Sequence, residues 1–349
     1  MIVIHAASRL HFGLLHFPLE EPGSGWTNYQ GEKVIPGRRY GGVGLMVESP
    51  GLSLRARPSS EWQADGPLAE RALEYARQFA RTVSQAVQFP LHLMIERSAP
   101  EHGGLGTGTQ LGLAVAKALA LAWGTGDGDV LDLAQRVGRG RRSALGLHGF
   151  ARGGFLVEGG QGQSAKPGPL VARVAFPEDW ALLLVLPVGA RGYHGQEEIR
   201  AFERLHGQGH VLERTEALCR LVLLGLLPAL AERDLEAFGE ALYDFNGRVG
   251  AGFAPVQAGT YTNPRTAELI AYLRREGVHG VGQSSWGPTV FAVLADAEQA
   301  HYLAGRLCDR FALGPGEVLI TRACNQGATA LIVSEGCEAS DVSKGGPSS

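Results

Sequence analysis

The stretch Pro100-Glu101-His102-Gly103-Gly104-Leu105-Gly106-Thr107-Gly108-Thr109-Gln110 constrains this chain more than any other. It lies between a strand-like run, Leu91 to Arg97, and a helix-like run, Gln110 to Trp123. Glycine lets backbone N–H groups turn inward with no Cβ in the way. A helix that starts just beyond adds its own free N–H groups and the positive end of its dipole. The sequence therefore predicts a phosphate cradle over Gly103, Gly104, Leu105, Gly106, Thr107, Gly108 and Thr109, with the threonine hydroxyls as further donors. A glycine turn that merely joins strand to helix is the plainer alternative.

Other phosphate and metal motifs are excluded residue by residue. Lys33, Lys117, Lys166 and Lys344 follow Glu, Ala, Ala and Ser, so no Gly-Lys pair of a Walker loop exists. Gly104-Leu105-Gly106-Thr107-Gly108-Thr109 misses the third glycine of a dinucleotide fingerprint, and no early βαβ unit frames it. His206 and His210 are separated by Gly207 and Gly209, which disfavours the helix that a metal pair at that spacing needs.

At 349 residues the chain can bury a sizeable core, and two domains are expected. A net charge of −3 offers no general attraction to nucleic acid or anionic membranes. No apolar run approaches the ~18 residues of a membrane span. Cys219, Cys308, Cys324 and Cys337 show no CxxC spacing, which reads as a reducing cytoplasm without disulfides. The expectation is a cytoplasmic protein with small-molecule substrates and no nucleic-acid or membrane partner, with a homodimer as a candidate assembly.

Taken in order, residues 2–17 read as a strand and 18–41 as a loop, followed by strands at 41–47 and 52–57. Pro67 to Val87 has the periodicity of an amphipathic helix, and the helix after the glycine loop is apolar nearly all round, as a buried one would be. Helices are expected at 130–137, 195–205, 211–227, 235–249, 264–275 and 297–311, with strands at 181–186 and 289–295. Val278 to Gly287 reads as a loop, and Val318 to Cys324 with Thr329 to Val333 as a hairpin. Strands and helices do not alternate as in a doubly wound sheet, so the class is α+β. The expected division is 1–165, 170–334 and a disordered tail at 335–349.

Between Gly138 and Val157 there is no Asp or Glu; there are Arg139, Arg141, Arg142, Arg152 and His148. Such a stretch suits a highly anionic ligand, since arginine forks bind phosphate and carboxylate in a bidentate way.

Three motifs in order resemble the GHMP kinase superfamily. They are Ala7-Ser8-Arg9-Leu10-His11-Phe12-Gly13, the loop Pro100 to Thr109, and Gly280-Val281-Gly282-Gln283-Ser284-Ser285-Trp286-Gly287-Pro288-Thr289-Val290. The resemblance implies a two-domain fold with mixed or antiparallel sheets packed by helices. Kinases of the superfamily usually carry a catalytic aspartate after the loop helix, where this chain has arginines. Within the superfamily, Ser8 to Gly13, Gly138 to Ser143 with Gly153-Gly154-Phe155, and Gly282 to Pro288 resemble the β-ribofuranosylaminobenzene 5′-phosphate synthases of methanopterin biosynthesis. That likeness implies a reaction in which 5-phosphoribosyl 1-diphosphate and 4-aminobenzoate give a C-riboside, carbon dioxide and diphosphate. It also implies Mg²⁺ on the diphosphate.

On this reading the loop holds one phosphate group, and Arg9, Arg139, Arg141, Arg142 and Arg152 hold the others or the benzoate carboxylate. His11, His148, His194, Glu197 and Glu198 are the candidate bases, with His11, Glu197 and His148 put forward as catalytic. Ser284, Ser285, Trp286 and Gly287 are expected on the substrate, with Trp286 stacking on the aryl ring. Two other readings stand beside it. An ATP-dependent small-molecule kinase would need an acid such as Asp127 or Glu158 near the transferred phosphate; a non-catalytic protein would bind phosphate esters without turnover.

Overall fold

The structure is a computed structural model that describes residues 1–16, 38–126, 128–162, 166–187, 211–257 and 259–333, with a small hairpin in 26–35 and a few single positions. In chain order, the hairpin is β2 (Trp26–Thr27) with β3 (Lys33–Ile35), after the first long strand, β1 (Ile2–His16).

β1 shows how sequence pattern places the site. Its first half alternates buried Ile2, Ile4 and Ala6 with more exposed partners; from Leu10 to Leu14 every residue is buried. The strand leaves a half-solvated sheet face and enters the joint between two sheets, where both of its faces are covered. The larger sheet has seven strands and runs β13 (Thr329–Ile332), β1, β4 (Tyr40–Pro58), β6 (Leu91–Arg97), β5 (Gln63–Asp65), with β7 (Phe155–Glu158) on the far half of β4 and β8 (Leu170–Val174) beyond it. All of its pairs are antiparallel except β5 with β6. The second sheet, β10 (Gly280–Gln283), β11 (Val290–Leu294), β9 (Ala181–Val185), β12 (Val318–Arg322), is antiparallel throughout.

Helices α1 (Ala69–Ala80), α2 (Thr107–Ala122), α3 (Val130–Arg136) and α4 (Leu145–Arg152) belong with the first sheet. Leu111, Val115 and Leu119 of α2 close over Leu54, Leu93 and Phe79. Helix α5 (Val211–Leu221) passes through a π-helical stretch, Val222–Leu226, into α6 (Leu227–Glu232), and α7 (Leu235–Phe253) follows. Phe238 and Phe245 of α7 lie in one core with Phe12, Phe155 and Phe291, so both sheets share it. The Phe12 and Phe291 rings are 4.9 Å apart, centroid to centroid. α8 (Pro264–Arg275) and α9 (Ala297–Phe311) cover the other face of the second sheet. Asn263 and Asp296 cap them by accepting from Thr266 and Gln299 N–H.

The α+β class is as read from the sequence, and several elements differ from it. The strands expected at 41–47 and 52–57 are one strand, β4, which bends around a cis Ser49–Pro50 bond and Gly51 at φ 50° without leaving the sheet. The helix expected from Pro67 to Val87 ends at Ala80, and only a 3₁₀ turn at Gln85–Val87 continues it. The loop expected at 278–287 contains β10, a fully buried strand whose glycines hide its period. The hairpin expected at 318–333 is not formed: β12 pairs with β9 and β13 with β1, and Cys324 N–H donates to Met46 O where the chain crosses between sheets. β8 and β13 therefore both lie in the sheet of the N-terminal half, beyond the residue-165 boundary. The helix expected at 195–205 and the tail at 335–349 fall outside the described residues, apart from single positions at 200 and 204.

Candidate active site

The three sequence motifs meet backbone to backbone. Arg9 N–H donates to Leu105 O at 2.9 Å, and Ser285 N–H to His11 O at 2.8 Å. The buried Ser284 hydroxyl accepts from His11 N–H at 3.0 Å and donates to Gly104 O at 2.8 Å. Thr289 Oγ1 donates to Gly103 O at 2.5 Å. This closeness is why glycine is required at two positions: a Cβ on Gly104, at φ +85°, would stand 2.3 Å from Ser284 O, and one on Gly287 would stand 2.4 Å from Gly103. Asn246 of α7 fastens the joint, its side-chain N–H groups donating to Phe12 O and Gln283 O while its oxygen accepts from Gln283 N–H.

Two adjoining cavities open at this junction. The outer one, about 190 Å³, follows the glycine loop from Gly104 to Thr109 and is walled by Arg9, Arg71, Glu101, Arg139, Ser285, Trp286 and Gly287. The inner one, about 290 Å³, is bounded by Arg9, His11, the turn Gly138 to Ser143, and Asn246, Val249, Phe253, Gln257, Thr260 and Tyr261. Arg9, Thr109, Arg139, Ser285 and Trp286 line both. No carboxylate lines the inner cavity among the described residues; four arginines do.

The loop delivers its N–H groups differently from expectation. α2 begins at Thr107 rather than Gln110, capped by Gly106 at φ 72°, so Thr107 and Gly108 are its first turn. Thr107 spends its hydroxyl on Pro100 O at 2.9 Å, whereas Thr109 faces both cavities. Leu105 is a core residue whose carbonyl holds Arg9.

Among the arginines, Arg9, Arg139, Arg141 and Arg142 line the inner cavity. Arg139 lies on the Tyr75 ring, 5.0 Å from its centroid, with a buried Nε that makes no hydrogen bond. Burial, aided by Arg71, Arg142 and Arg141, lowers its pKa to about 10. Arg152 is exposed at the end of α4 and lines neither cavity. Arg71 is a wall residue that the sequence reading missed; it sits on an unremarkable charged face of α1, and only the fold brings it to the loop.

His11 is buried, its ring against Gly42, with Nδ1 lacking a hydrogen-bond partner. Burial first, then the Arg9 charge, hold its pKa well below the ordinary histidine value, so the imidazole is neutral. His148 points elsewhere: its Nε2 donates to Gly168 O at 2.8 Å and it lines neither cavity. Glu197, with His194 and Glu198, lies outside the described residues, as does Asp127. Glu158 is fully buried behind the turn, where it accepts from Ala144 N–H and Ser143. Burial, only partly offset by those bonds and by Arg9, pushes its carboxyl up to about 7. Trp286 stands edge-on to Phe253 at 4.5 Å, and the pair forms one wall of the inner cavity.

Known proteins resemble this chain in family and in fold. Residues 68–151 match the GHMP kinases N-terminal domain and residues 226–313 the GHMP kinases C-terminal domain. The chain is 30% identical to the β-ribofuranosylphenol 5′-phosphate synthase of Methanothermobacter thermautotrophicus, over 94% of this chain and 98% of that protein. It therefore belongs to this synthase family of the GHMP superfamily. The synthase of the same name from Methanocaldococcus jannaschii is 29% identical over 93% of this chain and 99% of its own length. Among solved structures, the homoserine kinase of Cytophaga hutchinsonii superposes with a TM-score of 0.63 at 15% identity, covering 95% of this chain and 97% of that one. The mevalonate diphosphate decarboxylase of Staphylococcus aureus superposes at 0.58 and 14% identity, covering 95% and 98%. These two share the fold; the synthases share the family.

Proposed function

We propose that this synthase-family chain joins 5-phosphoribosyl 1-diphosphate to a benzoate carrying a para amino or hydroxyl group, forming the aryl C-riboside 5′-phosphate, carbon dioxide and diphosphate. The observation that carries the reading is the inner cavity: four arginines, a buried histidine and, among the described residues, no carboxylate, contiguous with a glycine loop. A donor with phosphates at both ends brings several negative charges, and this wall is built for them. The relatives' name specifies a phenol product, whereas the motif resemblance implied 4-aminobenzoate; the two acceptors differ in one para substituent.

Departure of diphosphate leaves an electron-poor C1 on the ribose. The aryl ring attacks it through the carbon that bears the carboxylate, and loss of carbon dioxide returns the C–C bond electrons to the ring. Arginine forks hold the anions in line and stabilise charge as it builds on the leaving group. Neutral His11 accepts a hydrogen bond from the para group, raising electron density at the attacking carbon. Glu101, paired with Arg71, is the one carboxylate lining either cavity among the described residues, so these walls offer no protein-held magnesium site and an ion would have to come with the diphosphate. Such an ion would neutralise charge on the leaving group.

The test supplies carboxyl-labelled 4-hydroxybenzoate or 4-aminobenzoate with phosphoribosyl diphosphate and Mg²⁺ and counts released label. Release that depends on phosphoribosyl diphosphate is expected with one acceptor preferred. Absence of release with both, from folded protein, removes the reading; ADP formation from ATP and an alcohol in a parallel tube would favour a kinase.

A further inference from the structure

Two of the three arginines that wall the outer cavity, Arg71 and Arg139, lie close together, and one carboxylate, Glu101, shares that wall. Arg71 and Arg139 converge on the first turn of α2: a Cβ on Gly108 would meet a terminal nitrogen of Arg71 at 2.6 Å and of Arg139 at 3.0 Å. Tyr75 carries both of them. Its hydroxyl accepts from Arg71 Nε at 3.3 Å, its ring lies under Arg139, and its buried edge rests on the bare backbone of Gly112. Two guanidinium groups held this close repel each other unless an anion lies between or beside them.

One carboxylate partly fills that need. Glu101, in the loop itself, pairs with Arg71, and both side chains remain about one-third exposed. Arg139 has no carboxylate partner among the described residues, and its Nε stays buried and unbonded. A partly exposed ion pair of this kind is worth little and exchanges readily, whereas a polyanion could engage both arginines and the loop N–H groups at once.

We infer that Glu101 is a built-in competitor at the glycine loop, an occupant of Arg71 that the diphosphate group displaces to bridge Arg71 and Arg139. The inference rests on the proposed function for its ligand, and assigns Arg71 and Tyr75 to the diphosphate subsite. Glu101 thereby keeps the empty site from holding on to inorganic diphosphate, the released product.

Calorimetric titration with inorganic diphosphate, without metal and without aryl acid, tests this directly. E101Q, whose side chain is partly exposed and keeps its size, is expected to bind diphosphate at least threefold more tightly than the wild type and to release it more slowly. R71Q is expected to bind at least tenfold more weakly, with the KM for the aryl acid unchanged and a melting temperature near that of the wild type. Unchanged or weaker diphosphate binding by E101Q overturns the inference, as does R71Q binding like the wild type. Repeating the titration with Mg²⁺ present tests a metal-ligand role for Glu101: E101Q binding like the wild type without metal and more weakly with it assigns that role and overturns the inference. Label release by the wild type with no effect of E101Q would sink this inference alone. Loss of both label release and diphosphate binding in the wild type would sink the proposed function with it.

Discussion

Glu158 is the residue whose ionisation the fold opposes most plainly. Its pKa is raised from the ordinary 4.5 to about 7 by burial. The folded state therefore favours the protonated acid, and the resulting stability is full below about pH 4.5 and lost as pH rises through about 7. Between pH 5 and pH 8 the wild type should lose up to roughly 3 kcal/mol relative to E158Q, which keeps an acceptor for Ala144 N–H. Urea unfolding of both proteins at the two pH values checks this; parallel curves would show that the carboxyl does not titrate there. His11 shifts the opposite way, since burial and Arg9 both favour its neutral form. The acid limb of kcat/KM should lie well below 6.5, and a limb centred at 6.5 would show an ordinary, solvated imidazole. At the glycine loop, Gly104→Ala should cost roughly 3 kcal/mol, combining positive φ with collision on Ser284 O. Gly124→Ala, also at positive φ but with nothing within 4 Å, should cost only about 1–2 kcal/mol in the same unfolding assay.

Elements were legible where their apolar period was clean. α8 and α9 coincide with the reading at 264–275 and 297–311, because Asn263 and Asp296 mark their starts and the buried faces repeat at helical spacing. Glycine-rich sequence hid the others. β10 lies in a stretch that reads as loop and α4 in one that stands out only for its glycines and arginines, yet there glycine lets side chains approach: Gly282 makes room for Asn246 and Gly149 for Met46. In the sequence Asn246 is one polar residue within a helical stretch, and the fold makes it the clasp between β1 and β10. Asn246→Ala strands the carbonyls of Phe12 and Gln283 and the Gln283 N–H. It should destabilise the protein by about 3 kcal/mol and weaken substrate binding more than a surface change on α7 such as Arg248→Ala. Equal effects of the two variants on KM would dissociate the clasp from the site.

At the scale of the molecule, the site exists because distant parts of the chain return to one place. β13 closes the first sheet beside β1, and the 280–290 motif folds over a loop about 180 residues earlier, as the Ser284 to Gly104 bond shows. The family resemblance of the three motifs implied residues of one site in all three segments. It could not show that Arg71 joins them, that Arg152 and His148 stay away, or that the last strands divide between two sheets. The first two depend on which face of a helix turns inward, which an arginine or histidine on a helix does not mark, and the last on which strands pair across long separations.

The central claim is that these cavities spend their positive charge on a leaving diphosphate and not on an ATP phosphoryl transfer. A single-turnover experiment with carboxyl-labelled aryl acid and one equivalent of phosphoribosyl diphosphate measures this most directly. One carbon dioxide and one diphosphate per C-riboside formed are expected, with the rate falling at least a hundredfold in Arg142→Ala and no ATP required. Diphosphate release without carbon dioxide, or product formation only in the presence of ATP, would contradict the account.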